Sequence, residues 1–290
     1  MPASERERVE FKNGDLRLVA DHWLPVEAPR AGGAVLLHGG GQTRHSWRNA
    51  GDRLAARGWE TWSLDARGHG ESDWAPDGDY RLDAMVADLK AVLAALPEPP
   101  VLIGASMGGL TALIAEGEDP GLARALVLVD VTPRIEQAGV DKIANFMRSG
   151  MNGFATLEEA ADAVQAYNPL RRRPSNPEGL KKNLRLRNGR WYWHWDPAFI
   201  AGMPDDSKRD MLDPERHERA AAALTLPVLL VRGKESDVVS EDGAANLLRL
   251  VPHAEYVDVS GAGHMVAGDD NDVFSVAVLD FLSRLPARTS

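Results

Sequence analysis

Short apolar runs that stop abruptly at Gly, Asp or Ser recur along the chain. They are Ala34-Val-Leu-Leu-His-Gly, Thr61-Trp-Ser-Leu-Asp, Val101-Leu-Ile-Gly-Ala-Ser, Ala125-Leu-Val-Leu-Val-Asp and Val228-Leu-Leu-Val-Arg-Gly. A continuous apolar run of this length, bounded by turn residues, predicts a strand buried on both faces. Segments with helical spacing separate them. Ala50–Gly58 and Leu110–Glu118 are two, and Leu82–Leu96 is a third, with Met85, Leu89, Val92, Leu93 and Leu96 on one side. Strands that alternate with helices predict an α/β fold, a mostly parallel twisted sheet with helices on both faces. Val9 to Leu24 differs: apolar residues alternate around Asn13-Gly14-Asp15, which predicts an antiparallel hairpin on the edge of that sheet.

The alternation breaks between Pro133 and Leu226, a stretch rich in Arg, Asn, Pro and Trp. No buried strand run stands out there, while Leu157–Tyr167 and Asp210–Leu224 have helical spacing. The pattern therefore predicts a core of residues 1–132 and 227–290 carrying a helical cap, 133–226. After Pro227 come a strand at Val228–Arg232, a helix at Ala244–Leu250, a strand at Ala254–Val259 and a helix at Val273–Leu285.

Composition narrows the chemistry. The 290 residues include no cysteine, which excludes disulfides, thiolate metal sites and a cysteine nucleophile. Lys plus Arg is 33 against 43 for Asp plus Glu, a net charge of −10, so neither nucleic acid nor an anionic membrane is the expected partner. Met1–Glu10 is charged, without the apolar run of a signal peptide. The apolar runs are far too short to cross a bilayer. A soluble cytoplasmic protein acting on a small molecule is expected.

Gly104-Ala105-Ser106-Met107-Gly108 lies between a strand run and a helical stretch, the setting of a nucleophile elbow. On such a bend the serine Oγ stands clear of the strand end, and the Met107 N–H at the helix start faces a developing oxyanion. His38-Gly39-Gly40-Gly41-Gln42 follows another strand; Gly40 or Gly41 would supply the second oxyanion N–H. No Gly-Lys-Ser/Thr or G-x-G-x-x-G follows, so a nucleotide cofactor is not expected. His264, in Gly261-Ala-Gly-His264, could take the proton of Ser106. No pair of the 8 histidines has metal-ligand spacing, and no metal is expected. Two acids end strands and could orient His264: Asp130 and Asp237. Asp65, in Asp65-Ala-Arg67-Gly-His69-Gly-Glu71-Ser72, reads as a turn held by charge. Trp47, Trp191, Trp193 and His194 are candidate walls of an apolar pocket, and Arg171-Arg172-Arg173 reads as a solvated run.

Four of these motifs, in chain order His38–Gly41, Asp65–Ser72, Gly104–Gly108 and Gly261–His264, together resemble the α/β-hydrolase fold superfamily of the serine-nucleophile type. The resemblance covers about residues 9–132 and 227–285, with the insertion unmatched in detail. It implies a cofactor-free Ser-His-Asp hydrolase acting on an ester, lactone or similar carbonyl through an acyl-enzyme. Relatives on this fold also carry out oxygenation, perhydrolysis or carbon–carbon cleavage, and some are non-catalytic receptors. The chain departs from the usual pattern at the acid: Gly233-Lys-Glu-Ser236 places serine where Gly-x-x-Asp usually stands. Asp237 is one residue later, and Asp130 occupies the position some branches use, after the sixth core strand.

Overall fold

The computed structural model describes residues 6–25, 30–168, 176–201, 213–264 and 272–285. Strands β1 (Arg6–Asn13) and β2 (Leu16–Trp23) form the expected hairpin, in register from Asn13↔Leu16 to Arg6↔Trp23. Gly14 takes φ +59 in its turn, a left-handed conformation that glycine adopts without a Cβ clash. β2 pairs antiparallel with β4 (Trp59–Leu64). From there the sheet is parallel through β3 (Gly32–Leu37), β5 (Val101–Ala105), β6 (Ala125–Val129), β9 (Val228–Gly233) and β10 (Glu255–Val259). The spatial order is β1-β2-β4-β3-β5-β6-β9-β10.

The central strands are apolar throughout because both of their faces are covered. Leu126 and Leu128 of β6 face one layer, with helices α2 (Leu82–Ala94) and α3 (Met107–Glu118). Ala125, Val127 and Val129 face the other, with α1 (Arg48–Ala55) and the C-terminal helix Asp272–Ser283. Each fully buried Leu, Val or Ile stabilises the fold by about 2 kcal/mol relative to its exposed state.

The inserted stretch contains helices α4 (Gln137–Ser149) and α5 (Leu157–Tyr167), a 3-10 segment, Pro177–Asn183, and a short helix α6 (Ala198–Ala201). It also holds an antiparallel ribbon, β7 (Leu184–Arg187) and β8 (Arg190–Trp193), so it is not purely helical as the pattern predicts. Asn188 (φ 49) and Gly189 (φ 75) make the turn, a dipeptide that favours tight hairpins. Helix α7 (Pro214–Ala222) departs from the expected insertion too. Ala220 and Ala221 join the core, and Gly117 of α3 lies so close that a Cβ there would meet the Ala220 carbonyl oxygen at 2.4 Å. The core layer thus resumes well before residue 227. Arg171-Arg172-Arg173 lies outside the described residues. A third apolar cluster, including Met107, Met147, Phe154, Trp193, Trp195 and Phe199, joins the insertion to the core. Among the described residues, no helix is long and apolar enough to cross a membrane.

Candidate active site

At the end of β5 the chain turns sharply into α3, and Ser106 occupies the turn at φ 47, ψ −116. A positive φ strains a residue with a Cβ, and such strain persists only where the surroundings hold it. Here the surroundings are glycines. A Cβ on Gly104 would lie 2.6 Å from the Gly108 carbonyl oxygen, and one on Gly108 would lie 2.6 Å from that of Leu37. The Ser106 N–H donates to the Val129 carbonyl (3.1 Å), which ties the bend to β6. Ser106 alone between residues 101 and 116 is not buried.

The Gly39–Gln42 turn lies directly against this bend: a Cβ on Gly39 would be 3.3 Å from that of Ser106. Met107 is the first residue of α3, where a backbone N–H has no intrahelical partner. The Gly40 N–H also has no partner among the described residues. Gly41 does not fill the role expected of it as an alternative donor, because its N–H donates to His69 Nε2 (3.2 Å).

His69 is one of three buried imidazoles packed side by side, their rings tilted, beside the turn. Ring centroids are 5.2 Å apart for His38–His69 and 5.8 Å for His69–His194. Each accepts a backbone N–H: His38 Nε2 from Ala66 (3.0 Å), His69 Nε2 from Gly41, and His194 Nδ1 from Gly70 (2.8 Å). His38 Nδ1–H donates to the Gly39 carbonyl and His69 Nδ1–H to that of Arg67. An imidazole that donates at one nitrogen and accepts at the other is neutral. Burial pushes the pKa of His38 down to about 4 and that of His69 to about 3, and carries His194 well below its ordinary value. Asp65 anchors the neighbouring turn as expected, accepting from the Arg44 N–H (2.7 Å) and the Glu71 N–H (2.9 Å), with the Arg44 guanidinium against it.

The two rival acids separate cleanly. Asp130, at the end of β6, is fully buried and also takes a positive φ, 48. Its Oδ2 lies 2.7 Å from His264 Nδ1 and accepts the Ser236 hydroxyl at 2.6 Å, while its Oδ1 accepts the Gly233 N–H at 2.9 Å. A donor at Nδ1 leaves His264 Nε2 as the lone-pair nitrogen. Asp237 is 43% exposed and pairs with Lys142 Nζ at 2.6 Å. Ser236 escapes the sequence reading. It holds the carboxylate and accepts the N–H groups of Val238 and Val239, both at 3.1 Å. The signal was the serine standing in the usual place of the acid.

The aromatic candidates scatter. Trp193 does line a cavity of about 270 Å³ that reaches Gly40 and Gly41. It stacks on Trp195 (5.1 Å), and Phe146 stacks on Tyr167 (4.4 Å) in the same wall. Burial and the nearby charges of Asp237 and Asp130 raise the Tyr167 pKa well above its ordinary value. Trp47 is corrected: it is 1% exposed and packs with Leu36, Leu54 and Ile103 on the far face of the sheet. Trp191 pairs with Phe154 and lies under Lys181 Nζ, away from this cavity. His194, which follows β8, packs instead against His69. Among the described residues, no group of three or more His, Cys, Asp or Glu side chains could hold a metal ion.

Residues 35–270 match the family model of the alpha/beta hydrolase fold. Esterase Rv0045c of Mycobacterium tuberculosis is 33% identical over 260 residues, 84% of this chain and 82% of that protein. Its crystal structure superposes with a TM-score of 0.73 over 98% of this chain and 92% of that one, at 31% identity. The 2-(acetamidomethylene)succinate hydrolase of Mesorhizobium japonicum is 30% identical over 236 residues, 79% of this chain and 80% of that protein. A crystal structure of E-2-(acetamidomethylene)succinate hydrolase gives a TM-score of 0.83 over 96% and 100% of the two chains; at 23% identity that likeness is one of fold. With this sheet order, this bend and these relatives, the chain belongs to the α/β hydrolase fold family and is an enzyme of the hydrolase kind.

Proposed function

We propose that the chain hydrolyses a carboxylic ester, lactone or similar carbonyl through an acyl-enzyme on Ser106. His264 Nε2 removes the Ser106 proton as Oγ attacks the carbonyl carbon. The oxyanion of the tetrahedral intermediate takes hydrogen bonds from the Met107 and Gly40 N–H groups, worth on the order of 3 kcal/mol each. Asp130 keeps His264 in the tautomer that accepts at Nε2 and stabilises the imidazolium. The imidazolium then protonates the leaving alcohol. Water, deprotonated by the same nitrogen, attacks the acyl-enzyme and regenerates Ser106. The segment from Pro133 to Ala201 acts as the cap, and the aromatic cavity under it takes the acyl portion of a small-molecule substrate.

One observation carries the reading: the buried Asp130 carboxylate sits 2.7 Å from His264 Nδ1 at the strand end adjoining Ser106. A panel of 4-nitrophenyl esters, run with wild type and Ser106→Ala, tests it, together with fluorophosphonate labelling. Turnover and labelling that both vanish in Ser106→Ala are expected. Turnover that survives the substitution overturns the acyl-enzyme route, and would favour oxygenase-like or carbon–carbon chemistry that uses the same residues differently. An absence of both turnover and labelling in wild type would favour a non-catalytic receptor.

A further inference from the structure

Beside the aromatic cavity, between the cap and the edge of the sheet, lies a cleft of about 500 Å³. Lys182 and His45 line both spaces, so the two are neighbours. The charge in the cleft runs against that of the chain. Six cationic side chains line it, Arg8, Arg17, Arg44, Lys181, Lys182 and Arg185, against one carboxylate, Glu71. The protein as a whole carries −10.

Several of these cations are accounted for within the fold. Arg8 pairs with Glu71 (2.7 Å), Arg17 with Asp73 (3.0 Å), Arg44 with Asp21 (2.9 Å), and Lys181 with Glu178 (2.5 Å). Arg185 is different. Among the described residues its guanidinium meets the Gly70 carbonyl and the face of Trp74, but no carboxylate. Arg187, two residues along the same face of β7, lies over the same Trp74 ring at 4.9 Å and brings a second positive charge. Burial and Arg187 both push the Arg185 pKa below its ordinary value. The carboxylates of Asp65 and Glu71 act on it from a distance, but among the described residues none pairs with it directly, and holding a half-buried guanidinium beside a like charge is costly. Its fork of donors matches the geometry of a carboxylate or phosphate.

We propose that this cleft is an anion subsite in which Arg185, with Lys182, holds an oxyanion group at the far end of the substrate's acyl arm. The inference rests on the hydrolase reading above and narrows it to substrates with an apolar or aromatic acyl segment that ends in a carboxylate or phosphate-like group.

Two measurements test it. In the first, 4-nitrophenyl esters of matched acyl length end in a methyl, a carboxylate or a phosphonate. The readout is the ratio of kcat/KM between anionic and neutral esters, from which a general loss of folded enzyme cancels. The ratio should favour one anionic ending by about ten-fold or more, carried by KM. It should collapse in Arg185→Gln, in Lys182→Gln, and in about 1 M salt, where the screening length is about 3 Å. Whichever ending is preferred identifies the group. Equal efficiency for all three endings, or a ratio that Arg185→Gln leaves intact, overturns the proposal. In the second, wild type is titrated calorimetrically with inorganic pyrophosphate. Saturable binding that weakens about ten-fold in Arg185→Gln is expected; no binding, or binding indifferent to that substitution, overturns the subsite. Binding of pyrophosphate with no turnover of any ester would instead sink the hydrolase reading while leaving the anion site in place.

Discussion

Replacing Asp130 with asparagine keeps the size of the side chain and removes its charge. The Gly233 N–H still finds an oxygen at Oδ1, which leaves the amide nitrogen facing Ser236 and His264 Nδ1, where Oδ2 now stands. Two N–H groups cannot face each other, so the imidazole must present its lone pair at Nδ1 and its proton at Nε2, the nitrogen that takes the Ser106 proton in the proposed mechanism. That tautomer cannot accept the serine proton. The lost charge has its own cost. A carboxylate and an imidazolium about 4 Å apart attract by about 4 kcal/mol at an effective dielectric of about 20, or about a thousand-fold in rate. With the tautomer reversed as well, kcat for a good 4-nitrophenyl ester should fall by about four orders of magnitude with KM little changed. Asp237→Asn is the control, because it removes only a surface pair with Lys142 worth up to about 1 kcal/mol, and should keep kcat/KM within about five-fold of wild type. Steady-state kinetics on both variants, with thermal unfolding to show that Asp130→Asn is folded, decides the matter. Near wild-type turnover by folded Asp130→Asn, or an equal loss in Asp237→Asn, would refute the assignment of the acid.

Ser236→Ala removes a hydroxyl that donates to Asp130 and caps two backbone N–H groups; kcat should fall about ten-fold with KM nearly constant, and Ser236→Thr should recover most of it. The imidazole cluster makes stability depend on acid. His38 and His69 are neutral in the fold down to about 4 and about 3, whereas in the unfolded chain they take up protons near pH 6.5. Between those limits the unfolded state binds more protons, so stability falls as pH falls, by about 2 kcal/mol per histidine by about pH 5. Urea unfolding midpoints that stay level from neutral pH to about pH 5 would contradict this. Trp47→Ala should cost about 3–5 kcal/mol of stability, read as a lowered Tm, with KM unmoved per folded molecule. Trp193→Ala should instead raise KM for esters with bulky acyl groups.

The parts of the site that rest on the central strands were legible without coordinates. A strand buried on both faces must be apolar along its length, so β3, β5, β6 and β9 announce themselves, and each leads into a Gly, Ser or Asp of the candidate site. Side-chain direction was not legible. Asp130 and Asp237 both follow strands, and what separates them is where each carboxylate goes: one is buried against His264 and Ser236, the other is exposed and paired with Lys142. Nearness in sequence misled at Trp47: the 3-10 turn Arg44–Trp47 carries it from the glycine turn to the far face of the sheet. In the insertion, Arg185, Arg187 and Arg190 mask the alternation of β7 and β8, although Asn188-Gly189 was a readable turn signal. The helix Pro214–Ala222 read as part of the cap because its buried side is mostly alanine, and alanine reveals a contact only when Gly117 is seen against it.

The short link between Ser236 and Asp130 has an evolutionary corollary. One hydroxyl and one carboxylate, borne by the ends of neighbouring strands, already touch each other. An exchange of the two residue types would seat the negative charge on the adjacent strand while the imidazole kept its place. Lineages could therefore drift between the two arrangements by way of a doubly acidic ancestor, with the rest of the machinery standing still.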